Sequence, residues 1–286
     1  MPVHDLAAAA RTTAELRAIF QFRGGRVVAE DLYCRSPLKV AKLFPVSSSG
    51  LCGAAAAAVI VMDASPGLLD GDRYELSWHI GRGCHVAVST QSYCKVHPSR
   101  GAGAGQYTRI AVEPEASLVY APQPTMLYAG ASFASSMQVS LAEGAAFLYM
   151  DTFCSGRVHR GESFQFEQFR SDVRIEAEGH PAAVSRMRLV PPDEHLSWPG
   201  IWESYTHYGS LYGFGPFVGS RTVEQLLKDA AGRAGVQFGA SLADRGGLSA
   251  VIMGNSAWDV QACLRRMGDS FIRFAAGHGI RFASIT

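Results

Sequence analysis

Ile80-Gly-Arg-Gly-Cys-His-Val86, Val112-Glu-Pro-Glu-Ala-Ser-Leu118 and Leu141-Ala-Glu-Gly-Ala-Ala-Phe147 each place an apolar strand end, a tight turn and a new apolar strand in the same order. Successive copies stand about 30 residues apart, and a fixed period of that size marks a repeated structural unit. The spacing predicts repeated hairpins, stacked on one another. Just upstream, Tyr74, Leu76, Trp78 and Ile80 alternate with polar neighbours, the period of a strand with one wet face.

Working outward, Arg26 to Arg35, Leu38 to Phe44 and Ala56 to Met62 are short apolar segments bounded by Gly, Pro and Ser, the punctuation of strands. The alanine run before Val59 favours helix by propensity, but Val59, Ile60 and Val61 are β-branched and point to a buried strand. Ser163 to Glu176 continues the alternation, with a change of parity after Phe166 that predicts a bulge, and Ala182 to Val190 closes the β part. So many short strands at hairpin spacing predict a mainly β fold, a layered, sandwich-like scaffold of short antiparallel strands with a few α-helices toward the C-terminus. Those helices are expected from Thr222, as cap, to Ala231 and from Trp258 to Ala276, with Gly247 to Met253 as a strand between them. Residues 1–21 read as a flexible lead-in with a single helical turn at Ala14 to Ile19 capped by Thr13, and residues 22–286 as one scaffold.

Composition excludes several function classes. Of the 286 residues 48% are hydrophobic and 18% charged, which is a globular rather than a disordered balance. The formal net charge of +1 comes without a basic block, so nucleic acid is not an expected partner. The longest apolar run, Gly53 to Met62, is about half of a bilayer span, and no basic segment precedes the apolar N-terminal stretch. A cytoplasmic protein without membrane association is expected. The six cysteines are too dispersed for a disulfide framework or a zinc knuckle.

No nucleophile elbow, phosphate-binding loop or HExxH motif occurs, and no stable metal site is expected. Cys84-His85 sits at a turn where adjacent side chains point to opposite faces, which favours ordinary packing over ligation. Cys94-Lys-Val-His97 has ligand spacing if its backbone turns, yet lacks further ligands, so transient metal contact is the most it supports. Asp72, in a Leu-Leu-Asp-Gly-Asp turn, has solvation and turn geometry as its plainest role. Asp151 follows the apolar strand Phe147 to Met150 and is either a structural ion-pair partner or a functional carboxylate. The aromatic run Trp198, Trp202, Tyr205, Tyr208, Tyr212, Phe214 and Phe217 forms either a partner interface or part of the core.

Several blocks then match a known family in order and spacing. Leu38-Lys-Val with Phe44-Pro45, Pro66-Gly-Leu-Leu-Asp-Gly-Asp72, Thr90-Gln-Ser-Tyr-Cys-Lys95, Tyr120-Ala-Pro-Gln-Pro124, Asp151 and Gly161-Glu162 resemble the urease accessory protein D family, UreD, called UreH in some bacteria. Glu203 to Ser210 is similar to the form found in Gram-positive members, and the resemblance runs from about residue 22 to the C-terminus. It implies a non-catalytic β scaffold that binds a helical UreF-type partner and, through it, a UreG-type GTPase, and that helps deliver nickel to apo-urease. It also implies a water-filled nickel passage to which Asp72 and Asp151 belong, with nickel bound only transiently. Ser185 and Pro124 stand where many relatives carry an acid, and Cys94 where they carry a small residue. The competing functions are a β-sandwich hydrolase built on a buried carboxylate and a ligand-binding β module with an aromatic platform of Trp78, Tyr107 and Tyr128.

Overall fold

The computed structural model describes residues 13–47, 55–193, 195–231 and 235–284. Four strands open the chain: β1 (Ala14–Arg23), β2 (Arg26–Arg35), β3 (Leu38–Ser47) and β4 (Ala55–Asp63). Three coils follow. The first carries β5 (Arg73–Ile80), β6 (His85–Thr90) and β7 (Cys94–Val96), the second β8 (Ala104–Val112), β9 (Ser117–Ala121) and β10 (Thr125–Leu127), and the third β11 (Ser132–Leu141) and β12 (Ala146–Cys154). β13 (Gln168–Ala177), β14 (His180–Leu189) and β15 (His207–Phe214) lead to helix α1 (Ser220–Ala230), then β16 (Val236–Ala243), β17 (Gly247–Gly254) and helix α2 (Ala257–Ala276).

Two sheets result. The first has the order β14-β13-β11-β8-β5-β1-β2, and the second β16-β17-β15-β12-β9-β6-β4-β3, with β7 and β10 attached beside β12.

The three repeated turns are corners, not hairpins. Each takes the chain from the first sheet to the second, β5 to β6, β8 to β9 and β11 to β12. Pairing is therefore with the next coil and parallel: His85 stands beside Ser117 and Ser117 beside Ala146, offsets of 32 (117 − 85) and 29 (146 − 117) residues. The expected antiparallel arrangement is corrected in the same way: the middle strands of both sheets pair in parallel, and antiparallel pairs are β13–β14 and β1–β2 in the first sheet and β3–β4 and the run β12-β15-β17-β16 in the second. The corners satisfy one another's backbone groups: Glu113 N–H donates to Ile80 O and Ala142 N–H to Val112 O, both at 2.9 Å. One small side chain per corner, Cys84, Ala116 or Ala145, fills the inside of the bend. The architecture is a stack of solenoid-like coils with two facing sheets rather than a clear sandwich.

The start of the chain differs from its expected lead-in. Ala14, Leu16, Ala18 and Phe20 are fully buried, alternate with exposed or half-exposed residues, and make β1 a strand between β2 and β5. Thr13 caps no helix; its hydroxyl donates to Arg73 O and accepts from Arg73 N–H. Helix propensity in Ala-Glu-Leu-Arg yields to this period-two burial and the ladders on both sides. The lead-in at residues 1–12 lies outside the described residues. The segment from Ser163 is also shorter than expected as a strand: β13 begins at Gln168, after a loop in which Phe164 takes φ 53 and Phe166 is buried. Gly219, not Thr222, caps α1, and the Thr222 hydroxyl accepts from Gly219 N–H. The strands at 26–35, 56–62 and 247–253 and the helix over 258–276 form as expected.

Register turns the inner residues into rows. Trp78, Ile110, Val139 and Ile175 lie side by side across the first sheet, and Val88, Tyr120, Tyr149 and Tyr212 across the second. Tyr149 stacks on Tyr212 at 6.0 Å between centroids and meets Tyr120 in a tilted contact at 5.8 Å. On the outside of the second sheet α2 packs Val260, Leu264, Met267 and Phe271 against Leu148 and Leu211. Gly213 permits that approach, because a Cβ there would meet the Phe271 ring at 2.5 Å. Among the described residues no helix is long and apolar enough to cross a membrane.

Gly213→Ala should therefore lower stability by about 1–3 kcal/mol, the usual cost of overfilling a packed core. Urea unfolding reads this as a lower midpoint, and adding Phe271→Leu should recover part of the loss. An unchanged midpoint for Gly213→Ala would contradict the close sheet–helix packing.

Candidate functional site

One inner row of the first sheet is polar, whereas the row beside it is apolar apart from Thr108. Tyr74, Gln106, Ser135 and Ser171 stand side by side on β5, β8, β11 and β13. Facing them are the carboxyl end of β4, the short strands β7 and β10, and β12, which bring Asp63, Cys94, Thr125 and Asp151 to the same space. Between the sheets lies a cavity of about 110 Å³. By that measure one water needs about 10–15 Å³, so the cavity has room for several. It runs across the coils, perpendicular to the strands.

Asp151 keeps some accessible surface although protein surrounds it, because that surface faces the cavity. Burial raises its pKa, while the Tyr149 hydroxyl and Thr152 N–H, the latter at 2.9 Å, oppose the shift by donating to the carboxylate. Burial likewise raises the nearby phenols of Tyr120 and Tyr149, and the charge of Asp151 adds to it. They remain neutral donors. At the β4 end, Asp63 accepts from Ser65 N–H at 2.8 Å and from the Tyr74 hydroxyl at 3.2 Å. Cys94 lies between the two acids in electrostatic reach; burial first, then Asp63 and Asp151, push its thiol up to about 12. At neutral pH it is a protonated thiol and a weak ligand.

The structure separates the other candidates. Asp72 is outside the cavity lining; its carboxylate accepts from Leu69 N–H at 2.8 Å, which closes the turn, while its charge reaches Tyr74 at the cavity's edge. Cys94 and His97 do not form one site: Cys94 faces the cavity, whereas His97 Nε2 lies 3.1 Å from Pro66 O and its ring packs on Tyr128 at 5.1 Å. Residues three apart on an extended strand point to opposite faces. His85 is buried with Nδ1 at 3.0 Å from the Ser117 hydroxyl, and burial lowers it to about 4. Of the aromatic run, Trp202 and Tyr212 are buried in the protein's own core, Tyr205 and Tyr208 are half-buried, and Trp198 is 58% exposed. Trp202 packs on Phe153 and Phe164. Ser185 is hydrogen-bonded to Tyr212, and buried Pro124 accepts from Cys94 N–H through its carbonyl. Trp78, Tyr107 and Tyr128 form no platform, since Trp78 is an inner core residue and Tyr107 stands on the opposite, outer face of its sheet.

Asp63 is the carboxylate that sequence reasoning missed. It ends an apolar strand, Ala56 to Met62, as Asp151 interrupts one after Met150, and that shared context was the one signal pointing to it. Gln106, Ser135 and Ser171 were legible only as polar residues at inward parity. Among the described residues no group of three or more His, Cys, Asp and Glu side chains could hold a metal ion. The arrangement is thus a wet, oxygen-rich space with separated carboxylates, able to attract a divalent cation without caging it.

Comparison with known proteins gives a consistent match. The family model described as UreD urease accessory protein matches residues 12–280. The chain is 30% identical to the urease accessory protein UreD of Acetivibrio thermocellus over 84% of its own length and 90% of that protein. It is 28% identical to UreD of Halalkalibacterium halodurans, covering 90% and 92% of the two chains, and 28% identical to UreH of Helicobacter hepaticus, covering 74% and 81%.

Two titration outcomes follow from the cavity. The Cys94 thiol, at about 12 against an ordinary 9, carries roughly a thousandfold less thiolate than a free cysteine at pH 8 (12 − 9 = 3 decades). Iodoacetamide should label it at least about a hundredfold more slowly in the folded protein than in urea; equal rates would refute its enclosure. Asp151 has a folded-state value above the ordinary 3.8, so the folded protein holds that proton more tightly than the unfolded chain. Its contribution to stability is favourable below 3.8 and falls as pH rises through the raised value. Asp151→Asn should therefore be more stable than the parent at neutral pH, with the margin shrinking as pH falls toward 3.8, measured by urea midpoints across that range.

Proposed function

Since this chain belongs to the UreD family of urease accessory proteins, we propose that it is a non-catalytic scaffold that helps deliver nickel to apo-urease in the cytoplasm. It binds a UreF-type partner and, through that partner, a UreG-type GTPase. The single observation that carries the reading is the polar row across successive coils, which together with Asp63 and Asp151 lines a cavity between the sheets. Burying Asp151 beside neutral phenols costs folding free energy, and a purely structural scaffold has no need of it.

Nickel is the cargo. Asp63 and Asp151 provide oxygen donors at separate points of the cavity, Tyr120 and Tyr149 keep its wall polar, and Asp72 adds negative charge near the Tyr74 edge. Cys94, protonated, makes only transient contact. Separated hard donors suit an ion that must bind and leave, whereas a closed thiolate set would retain it. The cavity is also smaller than the roughly 300–1,000 Å³ of ordinary ligand pockets, which argues against a hydrolase or a ligand-binding module. For the UreF-type partner, exposed Trp198 and Ile201, with half-buried Tyr205 beside the buried Trp202, supply the apolar anchor that interface cores favour.

The test is to mature urease with Asp63→Ala, Asp72→Ala and Asp151→Ala variants and measure its nickel content and activity, beside thermal unfolding and partner co-elution of each variant. Asp63→Ala and Asp151→Ala should lower urease nickel several-fold while melting and co-elution persist, and Asp72→Ala should lower it less. Normal nickel content with both cavity variants would defeat the passage. Loss of melting and nickel together would make the acids structural.

A further inference from the structure

The two sheets differ in continuity at the level of the cavity. Across the first, the β5–β8, β8–β11 and β11–β13 ladders run unbroken past Tyr74, Gln106, Ser135 and Ser171. In the second sheet each coil is one residue longer than its successor there. Between the same two rungs β12 takes 4 steps, Tyr149 to Phe153 (153 − 149), where β9 and β10 take 5, Tyr120 to Thr125 (125 − 120). β6 and β7 take 6, Val88 to Cys94 (94 − 88). The chain after β4 takes 9, Val59 to Leu68 (68 − 59), against 8 from Val88 to Val96 (96 − 88). An extended residue spans about 3.3 Å, so the surplus bows out and the strands splay furthest between β4 and β6. Pro66, Pro122 and Pro124 stand in the splayed stretch, where a residue without an N–H costs no ladder bond.

The widest break is bounded by two backbone bonds, Gln91 N–H to Val61 O and Leu68 N–H to Lys95 O, both at 2.8 Å. Between them Asp63 and Pro66 border one side and Ser92, Cys94 and Lys95 the other, and all five line the cavity. Pro66, Ser92 and Lys95 are the exposed residues of the whole lining, and all three stand at this break. Lys95 is also its one cationic side chain, and no carboxylate among the described residues forms an ion pair with it. We propose that the cavity opens to solvent through the second sheet at this break, and that Lys95 on the rim is a charge filter that slows the entry of free cations. The proposal deepens the passage reading and rests on it. Oxygen donors such as Asp63 and Asp151 suit magnesium and calcium as well as nickel, so discrimination has to sit at the entrance, where a basic side chain raises an electrostatic barrier. Cargo handed over by a docked carrier does not cross the rim as a free ion.

Two plainer accounts fail on position. A bulge that only bends a sheet needs one extra residue in one strand, whereas three successive coils each gain one here, all at the level of the cavity. An opening through the first sheet would have to break ladders that are continuous at that level.

Cys94, at the break and in the lining, reports entry. The full chain is treated with methanethiosulfonates that share one reactive group and differ in charge, methyl (neutral) and aminoethyl (cationic), and modification of the Cys94 peptide is timed by mass spectrometry. The ratio of the two rates cancels any change in the thiol's own reactivity. Lys95→Gln should raise the cationic-to-neutral ratio at least about fivefold, and added salt should raise that ratio in the parent but not in the variant. Ser92→Trp, with Pro66→Trp as a second block, should slow the neutral reagent several-fold while melting stays with the parent, since both positions are exposed. An unchanged ratio in Lys95→Gln would overturn the filter, and an unchanged neutral rate in both blocked variants would overturn the mouth. Neither reading involves urease, so these outcomes are separate from those of the nickel assays.

Discussion

Each coil of this protein is joined to the next by a parallel backbone ladder that continues around the corners, and the rest of the structure depends on that continuity. Glu113 hydrogen-bonds to Ile80 and Ala142 to Val112 where the chain leaves one sheet, and Ser117 to Cys84 and Ala146 to Ala116 where it enters the other. A corner so paired leaves no buried donor stranded, which lets the turn lie close to the core. Parallel pairing at a fixed offset also aligns like positions of successive coils. A residue type chosen once per coil thereby becomes a row.

Rows explain how a protein with a large apolar core can also contain a polar cavity. Trp78, Ile110, Val139 and Ile175 fill one level between the sheets, while two residues back along the same strands Leu76, Thr108, Met137 and Val173 form the next. One level further, Tyr74, Gln106, Ser135 and Ser171 make the polar wall. The desolvation of Asp151 is moderated there by the Tyr149 hydroxyl and Thr152 N–H, and the Tyr120 and Tyr212 rings pack on either side of Tyr149. Stability is given up locally within a framework whose apolar rows supply a surplus.

The two outer faces of the sheets have different fates. Both helices pack on the second sheet, and the close approach of α2 depends on glycine at positions 209 and 213. The first sheet keeps a charged outer face, with arginines gathered at the β13–β14 corner. β13 belongs to both surfaces at once: Phe169 and Ser171 face the cavity, and Arg170 and Asp172 face outward. Strand periodicity places a charged outer surface and the cavity on opposite sides of one element.

Sequence alone determined the β character, the roughly 30-residue repeat, α2 and the strand before it, because these depend on periods of two, of 3.6 and of one coil that residue types display directly. Its motif order also pointed to the family, and Asp151 stood out because an acid within an apolar strand is costly wherever the strand goes. Tertiary structure alone decided that the repeated turns are corners rather than hairpins, since a short turn between apolar strands reads the same whether the partner strand is adjacent or a coil away. The same ambiguity hid β1, whose Ala-Glu-Leu-Arg composition favours helix until two neighbours supply ladders. It also hid the cavity set: Asp63, Cys94 and Asp151 are far apart in the chain, and Asp72 lies closer to Asp63 in sequence than Cys94 does, yet closes a turn outside the lining. Which side chains share a space follows from the offset between coils, a long-range quantity set by backbone pairing and corner packing together, and no local pattern encodes it.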